Sequence, residues 1–152
     1  MKALKKILIF SIFSLIANNI TLAQTNPRLI EITGTDNMKF DVSSIEAKPG
    51  ETLKIVLTTV SRIPKQAMAH NIVFLEMGTD VKAFANASAK ARDNQYIAKD
   101  LKDKVIAFTS LAGGGETVEV IFTVPETLGE YEYICSFPGH YYGGMKGILI
   151  IN

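Results

Sequence analysis

Cysteine, histidine and tryptophan are scarce in this chain: it has one Cys, two His and no Trp. A single thiol excludes an internal disulfide, and there is no cysteine cluster for a zinc finger or an iron–sulfur site. Two imidazoles exclude any site built on three. An excess of one charge sign is missing as well. Sixteen Lys and Arg against 15 Asp and Glu leave a formal +1, whereas a nucleic-acid binder needs a basic footprint. Core-forming residues are plentiful, at 47% hydrophobic, which excludes a disordered chain. A length of 152 residues suits one ordinary domain, and two would be cramped.

The first 23 residues read as a secretory signal peptide. Lys2, Lys5 and Lys6 form a positive start, Ile7 to Ala17 is apolar, and Thr21-Leu22-Ala23 offers a small-residue cleavage site before Gln24. The apolar run is about half of the roughly 20 residues that span a bilayer, and Asn18 and Asn19 end it. Stable membrane insertion is therefore not expected, and the absence of a nearby Cys argues against a lipid anchor. Cleavage after Ala23 and export to the periplasm or cell surface are expected. Residues 24–152 then form a single domain with 13 basic and 15 acidic side chains, a formal −2. In such a compartment the unpaired thiol of Cys135 is a liability, so it calls for deep burial, an intermolecular disulfide or a metal bond.

Most of that domain reads as strand. Leu29 to Thr33 is rich in β-formers, and Lys48-Pro49-Gly50-Glu51 marks a turn before Thr52 to Thr59. There Leu53, Ile55 and Leu57 alternate with Lys54 and Thr58, as in a strand with one buried face. Ile72 to Leu75 and Val105 to Phe108 are short apolar runs suited to core strands. Val118, Val120, Phe122 and Val124 alternate again, and Glu130 to Cys135 and Gly147 to Ile151 complete the set. One stretch differs: Thr79 to Lys99 is rich in Ala, Lys and Asp. Thr79 or Asp80 is placed to cap a helix whose stripe runs through Ala83, Phe84, Ala87 and Ala91. The expected fold is all-β, a Greek-key sandwich with one helical insertion around residues 79–99.

The chemistry concentrates near the C-terminus, in Cys135-Ser136-Phe137-Pro138-Gly139-His140-Tyr141-Tyr142-Gly143-Gly144-Met145-Lys146-Gly147. A thiol, an imidazole and a thioether fall in one loop between two expected strands, and its Pro and Gly residues bend the backbone so that they can converge. Thiolate and thioether suit copper(I), and imidazole serves both copper oxidation states. One more imidazole would complete a two-His, one-Cys plane with Met as a weak axial donor. The only other His is His70, at the start of a core-like strand. Zinc is the alternative metal for a Cys/His site; the thioether favours copper.

The chain resembles cupredoxins of the azurin and auracyanin group, from about Arg28 to Asn152. The resemblance is carried by Gly34-Thr35-Asp36-Asn37-Met38-Lys39-Phe40, by Met68-Ala69-His70-Asn71, by Leu111-Ala112-Gly113-Gly114-Gly115-Glu116, and by the Cys-Ser-Phe-Pro-Gly-His loop with its closing Met-Lys-Gly. It implies a cupredoxin fold and one copper ion, with His70, Cys135 and His140 as equatorial ligands and Met145 as the axial one. It also implies that Asn71 and Ser136 hydrogen-bond across the two ligand loops. Ala67, Met68, Ala112, Gly113 and Gly114 would form an apolar rim around His140, where redox proteins dock. Some details depart from azurins proper. Four residues rather than three separate His140 from Met145, as in auracyanins, and Ala69 stands where azurins place a Gly. The azurin disulfide cannot form here, and the core Trp common in azurins is absent.

The function so implied is that of a blue copper protein, a soluble single-electron carrier rather than an enzyme. Copper delivery or buffering is the alternative, drawing on Met38, Met68 and Met77 as extra soft donors, although these are scattered. A metal-free Ig-like interaction module is the third reading, with the ligand set a coincidence.

Overall fold

Alternation along the chain builds two facing sheets. In the computed structural model, which describes residues 26–152, Leu53, Ile55, Leu57 and Thr59 point inward and are fully buried, while the residues between them are partly exposed. They lie on β4 (Thr52–Val60), which is flanked by β1 (Arg28–Thr35), running parallel to it, and by β7 (Thr117–Thr123), running antiparallel. A two-residue strand, β2 (Lys39–Phe40), extends this sheet beyond β1, giving the order β2-β1-β4-β7.

The second sheet has the order β3-β9-β8-β5-β6. Its strands are β3 (Ser44–Ala47), β5 (Val73–Leu75), β6 (Val105–Phe108), β8 (Gly129–Ile134) and β9 (Lys146–Ile151). Strands distant in sequence become neighbours, as in the parallel β3–β9 pair and the antiparallel β4–β7 pair. Connections of this kind are those of a Greek-key sandwich. The expected strands from β4 onward appear within a residue or two of their sequence bounds, except that β5 is shorter. The two strands with no sequence signal, β2 and β3, are also among the shortest.

Between the sheets, aromatic rings occupy the space. Phe74 sits 4.8 Å from Phe122 and 5.2 Å from Tyr133, centroid to centroid, in tilted geometry. The Tyr133 hydroxyl, which would otherwise be stranded in the core, donates to the Val42 carbonyl at 2.8 Å. The outer face of the second sheet is covered as well. Val73, Leu75 and Ile134 pack there against α1 (Val81–Ser88) and Ile97. Cover on both faces explains why Ile72 to Leu75 is continuously apolar.

The helix forms where expected but turns a different face inward. Asp80 caps it by accepting from the Ala83 amide at 3.0 Å. The buried residues are Val81, Phe84, Ala85 and Ser88, and Ala83 is exposed. The expected helical segment also ends early. After Ser88 the chain continues in 3-10 turns at Arg92–Asn94 and Lys99–Lys104, with Gln95 and Tyr96 both left-handed between them. Two consecutive left-handed residues cannot continue a right-handed helix. The expected signal peptide, residues 1–23, lies outside the described residues. No described helix is long and apolar enough to cross a membrane.

Because Phe74 is wedged between the sheets, Phe74→Ala should lower the unfolding free energy by about 3–5 kcal/mol. Guanidinium denaturation of the variant against the parent checks this; a loss under about 1 kcal/mol would mean the core closes over the gap.

Candidate metal centre

Three segments bring the predicted residues together at one end of the sandwich. His70 lies between β4 and β5, locked to Ala112 by a two-way backbone pair: His70 N–H to Ala112 O at 2.9 Å and Ala112 N–H to His70 O at 2.8 Å. Cys135 follows β8 directly, and its amide donates to the Met145 carbonyl at 3.0 Å. The intervening loop folds on itself, with the His140 amide donating to Phe137 O at 3.1 Å and the Met145 amide to His140 O at 2.9 Å. Left-handed Gly139 and Gly144 make the bends. Sequence-distant His70 and sequence-close Cys135, His140 and Met145 are thus held by main-chain bonds, and all four are buried.

The donor atoms face one another. His70 Nδ1 is 3.1 Å from His140 Nδ1, and Cys135 Sγ is 4.0 Å from the first and 3.4 Å from the second. Bonds of roughly 2.0–2.3 Å from one ion to two nitrogens and a thiolate in a plane set the donors roughly 3.4–3.8 Å apart. The three separations straddle that range, so the residues fit a single small metal ion. Nδ1 lone pairs and sulfur converging in a dry space have no better partner among themselves, since two neutral rings can share only one proton between their Nδ1 atoms. The Met145 side chain lies near that of His70. A Cβ added at Gly34 would fall 2.8 Å from His70 Cδ2 and 2.9 Å from Met145 Cε, so both side chains lie against the end of β1. Glycine is required there by this close approach.

Burial sets the proton affinities. It pushes His140 down to about 4, with the neighbouring His70 adding to the effect. His70 is lowered as well, again chiefly by burial, while the Asp36 carboxylate and the Thr35 backbone pull the other way. The Thr35 contact does not reach hydrogen-bond geometry, and His70 Nε2 has no hydrogen-bond partner. Burial raises the Cys135 thiol to about 12, opposed by the backbone amides of Asn71 and Phe137. The rings are therefore neutral and ready to donate lone pairs at pH 7, whereas sulfur must lose its proton to a metal.

Asn71 and Ser136 bridge the two donor segments. The Ser136 amide donates to Asn71 Oδ1 at 2.9 Å, and Asn71 Nδ2 donates to Ser136 Oγ at 2.9 Å. Asn71 Nδ2 also reaches the Gln95 carbonyl at 3.3 Å, and Gln95 Oε1 accepts from the Leu111 amide at 3.1 Å. Gln95 carries no signal in the sequence, where it is one polar residue among several in a loop. Lys39 has no distinguishing signal of its own in the sequence, yet its Nζ donates to Gly143 O at 2.9 Å and ties the turn after β1 to the His140–Met145 loop.

The expected apolar rim is distributed unevenly. Ala67 and Gly114 are exposed and Met68 is half-buried, while Gly113 is buried. Ala112 is 0% exposed and acts as the backbone partner of His70, accepting also from Thr59 Oγ1 at 3.1 Å. It offers no side-chain surface. His140 itself is 3% exposed, with the Phe137 ring 4.8 Å away.

Two outcomes follow from this geometry. Asn71→Ala removes the bridge and should weaken metal affinity by roughly 10–100-fold, read by competition with a chelator. In metal-free protein the depressed histidines bind fewer protons folded than unfolded between pH 6.5 and about 4. Stability should therefore fall as pH drops through that window, and urea denaturation at pH 7, 5.5 and 4.5 would show it. A stability independent of pH there would contradict buried neutral rings.

The site can be set beside known proteins. Residues 28–152 match the family described as "Copper binding proteins, plastocyanin/azurin family". Azurin of Alcaligenes faecalis is 40% identical over 123 residues, covering 79% of this chain and 94% of that protein. Azurin-1 of Alcaligenes xylosoxydans xylosoxydans is 37% identical with the same coverage. Among solved structures, auracyanin A, a "blue" copper protein from Chloroflexus aurantiacus, superposes with a TM-score of 0.73 at 36% identity, covering 84% of this chain and all of that one. The two-sheet sandwich, the cluster of His70, Cys135 and His140 and these similarities lead to one assignment: the chain belongs to the plastocyanin/azurin family of copper-binding proteins.

Proposed function

We propose that this protein is a soluble one-electron carrier. In this reading His70, Cys135 and His140 would hold one copper ion, with Met145 as a further, weaker donor. The observation that carries the reading is the convergence of two imidazole Nδ1 atoms and a thiol in a buried pocket. When bound, copper supplies exchange of a single electron between Cu(I) and Cu(II). The protein's part is to keep the donors where both oxidation states accept them. Main-chain bonds around His70, Cys135 and Met145 and the Asn71–Ser136 bridge do this, so little has to move as the charge changes. No substrate bond is made or broken, and the role is not that of an enzyme.

Redox proteins, as donor and acceptor, would dock at the end of the sandwich that carries His140. Residues 1–23 would direct export and be removed after Ala23, leaving residues 24–152 as a single periplasmic domain. Copper delivery or buffering is the competing role. Here the candidate extra thioethers are dispersed, with Met38 packed against Gly143 and Met77 against Gly129.

Adding Cu(II) to the purified domain should give an intense blue thiolate-to-copper band that disappears on reduction and returns on oxidation. A colourless or irreversibly oxidised product would instead favour a copper-handling role. Cys135→Ser should abolish the band. Met145→Leu should keep it and raise the reduction potential by removing the thioether donor, and a fall in potential would contradict Met145 as a ligand.

A further inference from the structure

Beside the metal centre lies a hollow of about 160 Å³ that the proposed function leaves unused. Its base is formed by Ala69, which precedes His70, and by Phe137, whose ring touches that of His140; Leu111 and Tyr96 add apolar wall. The charged residues that line it, Lys65 and Arg92, are both cations, and Gln66 is the remaining polar one. Pockets for cofactors and drug-sized ligands occupy roughly 300–1,000 Å³. This hollow is smaller, of a size for one side-chain head group.

We propose that the hollow is a socket for a carboxylate on the acidic surface of a redox partner, and that electrons pass between it and the metal centre along Tyr96, Phe137 and His140. The proposal rests on the electron-carrier reading above. Three observations support it. First, the two cations differ in whether their head groups are occupied. Lys65 pairs with Glu116 at 2.6 Å, and its stem lies across Gly113. Arg92 makes no ion pair among the described residues and sits on the 3-10 turn that Gln95 anchors to Leu111 and Asn71. A guanidinium fork without a partner, next to an apolar floor, is suited to a bidentate carboxylate. Second, the rings form a continuous chain of contacts from the hollow to the donor set. Tyr96 lies 5.0 Å from Phe137 edge-on, and Phe137 lies 4.8 Å from His140. Third, residues 24–152 carry a formal −2, so an acidic partner is repelled by the molecule as a whole. Arg92, with the charge of Lys65 already offset by Glu116, would then decide which end it meets.

The test uses the reduced, copper-loaded protein and two one-electron oxidants of opposite charge, hexacyanoferrate(III) and tris(phenanthroline)cobalt(III). In each reaction one electron leaves Cu(I), giving Cu(II) and either hexacyanoferrate(II) or cobalt(II). Arg92→Glu is compared with Lys48→Glu, the same charge change in the turn before β4, at the opposite end of that strand from the metal centre. Arg92→Glu should slow hexacyanoferrate by roughly three- to tenfold more than Lys48→Glu does, flatten its salt dependence, and leave the cobalt reaction unslowed. A hexa-aspartate peptide should inhibit the parent protein with hexacyanoferrate and have little effect on Arg92→Glu. Tyr96→Leu should slow hexacyanoferrate while the blue band and reduction potential stay unchanged. Equal effects of the two charge reversals, with the blue band intact, would overturn the socket and leave the carrier reading standing. Failure of the parent protein to form a reversible blue site would overturn the carrier reading and the socket with it.

Discussion

Everything at the functional end of this molecule depends on holding two imidazole nitrogens and a sulfur in mutual contact away from water. The arrangement is unfavourable in isolation: buried polar atoms without good partners cost free energy, and the two rings repel each other's protonated forms. The protein tolerates it because the groups are not free to turn away. His70 is pinned to Ala112, Cys135 to Met145, and Met145 to His140, each through backbone hydrogen bonds. The sandwich places the ends of β8 and β9 side by side, so the loop between them is closed at its base before any metal arrives.

The cross-links reach further than the donor segments. Asn71 bonds to Ser136 on one side and to Gln95 on the other, and Gln95 bonds to Leu111, next to the residue that pins His70. Lys39 and Gly34 brace the His140–Met145 loop and the donor side chains from the β1 end. The site is therefore enclosed by segments from five separate parts of the chain. A donor set held in this way has little freedom to rearrange.

Much of this was legible in the sequence, and the exceptions have physical reasons. The cluster of His70, Cys135 and His140 was readable because it consumes every His and Cys the chain possesses. The long alternating strands were readable because one face is buried and the other wet, as in β4 and β7. Strands β2 and β3 are too short for a period to register. The helix face was misjudged because alanines lie all around it, so small apolar residues do not distinguish the sides. What decides is the surface it covers, Val73, Leu75 and Ile134, which selects Val81, Phe84, Ala85 and Ser88. The left-handed bends at Gln95 and Tyr96 gave no warning, since neither is a residue that prefers that conformation.

The lone cysteine closes the argument. As a free thiol it is raised to about 12 by burial, which makes it inert as a nucleophile at neutral pH and shields it from oxidants. As a metal ligand it must be a thiolate in that same dry space, which only a cation bound beside it can offset. The amides of Asn71 and Phe137, both opposing the upward shift, are poised to stabilise the ionised sulfur once the metal is there. Asn71 thus acts twice, with its side chain fixing the distance to Ser136 and its backbone favouring the charged sulfur. One residue beside His70 couples the geometry of the site to the electronic state of its central atom.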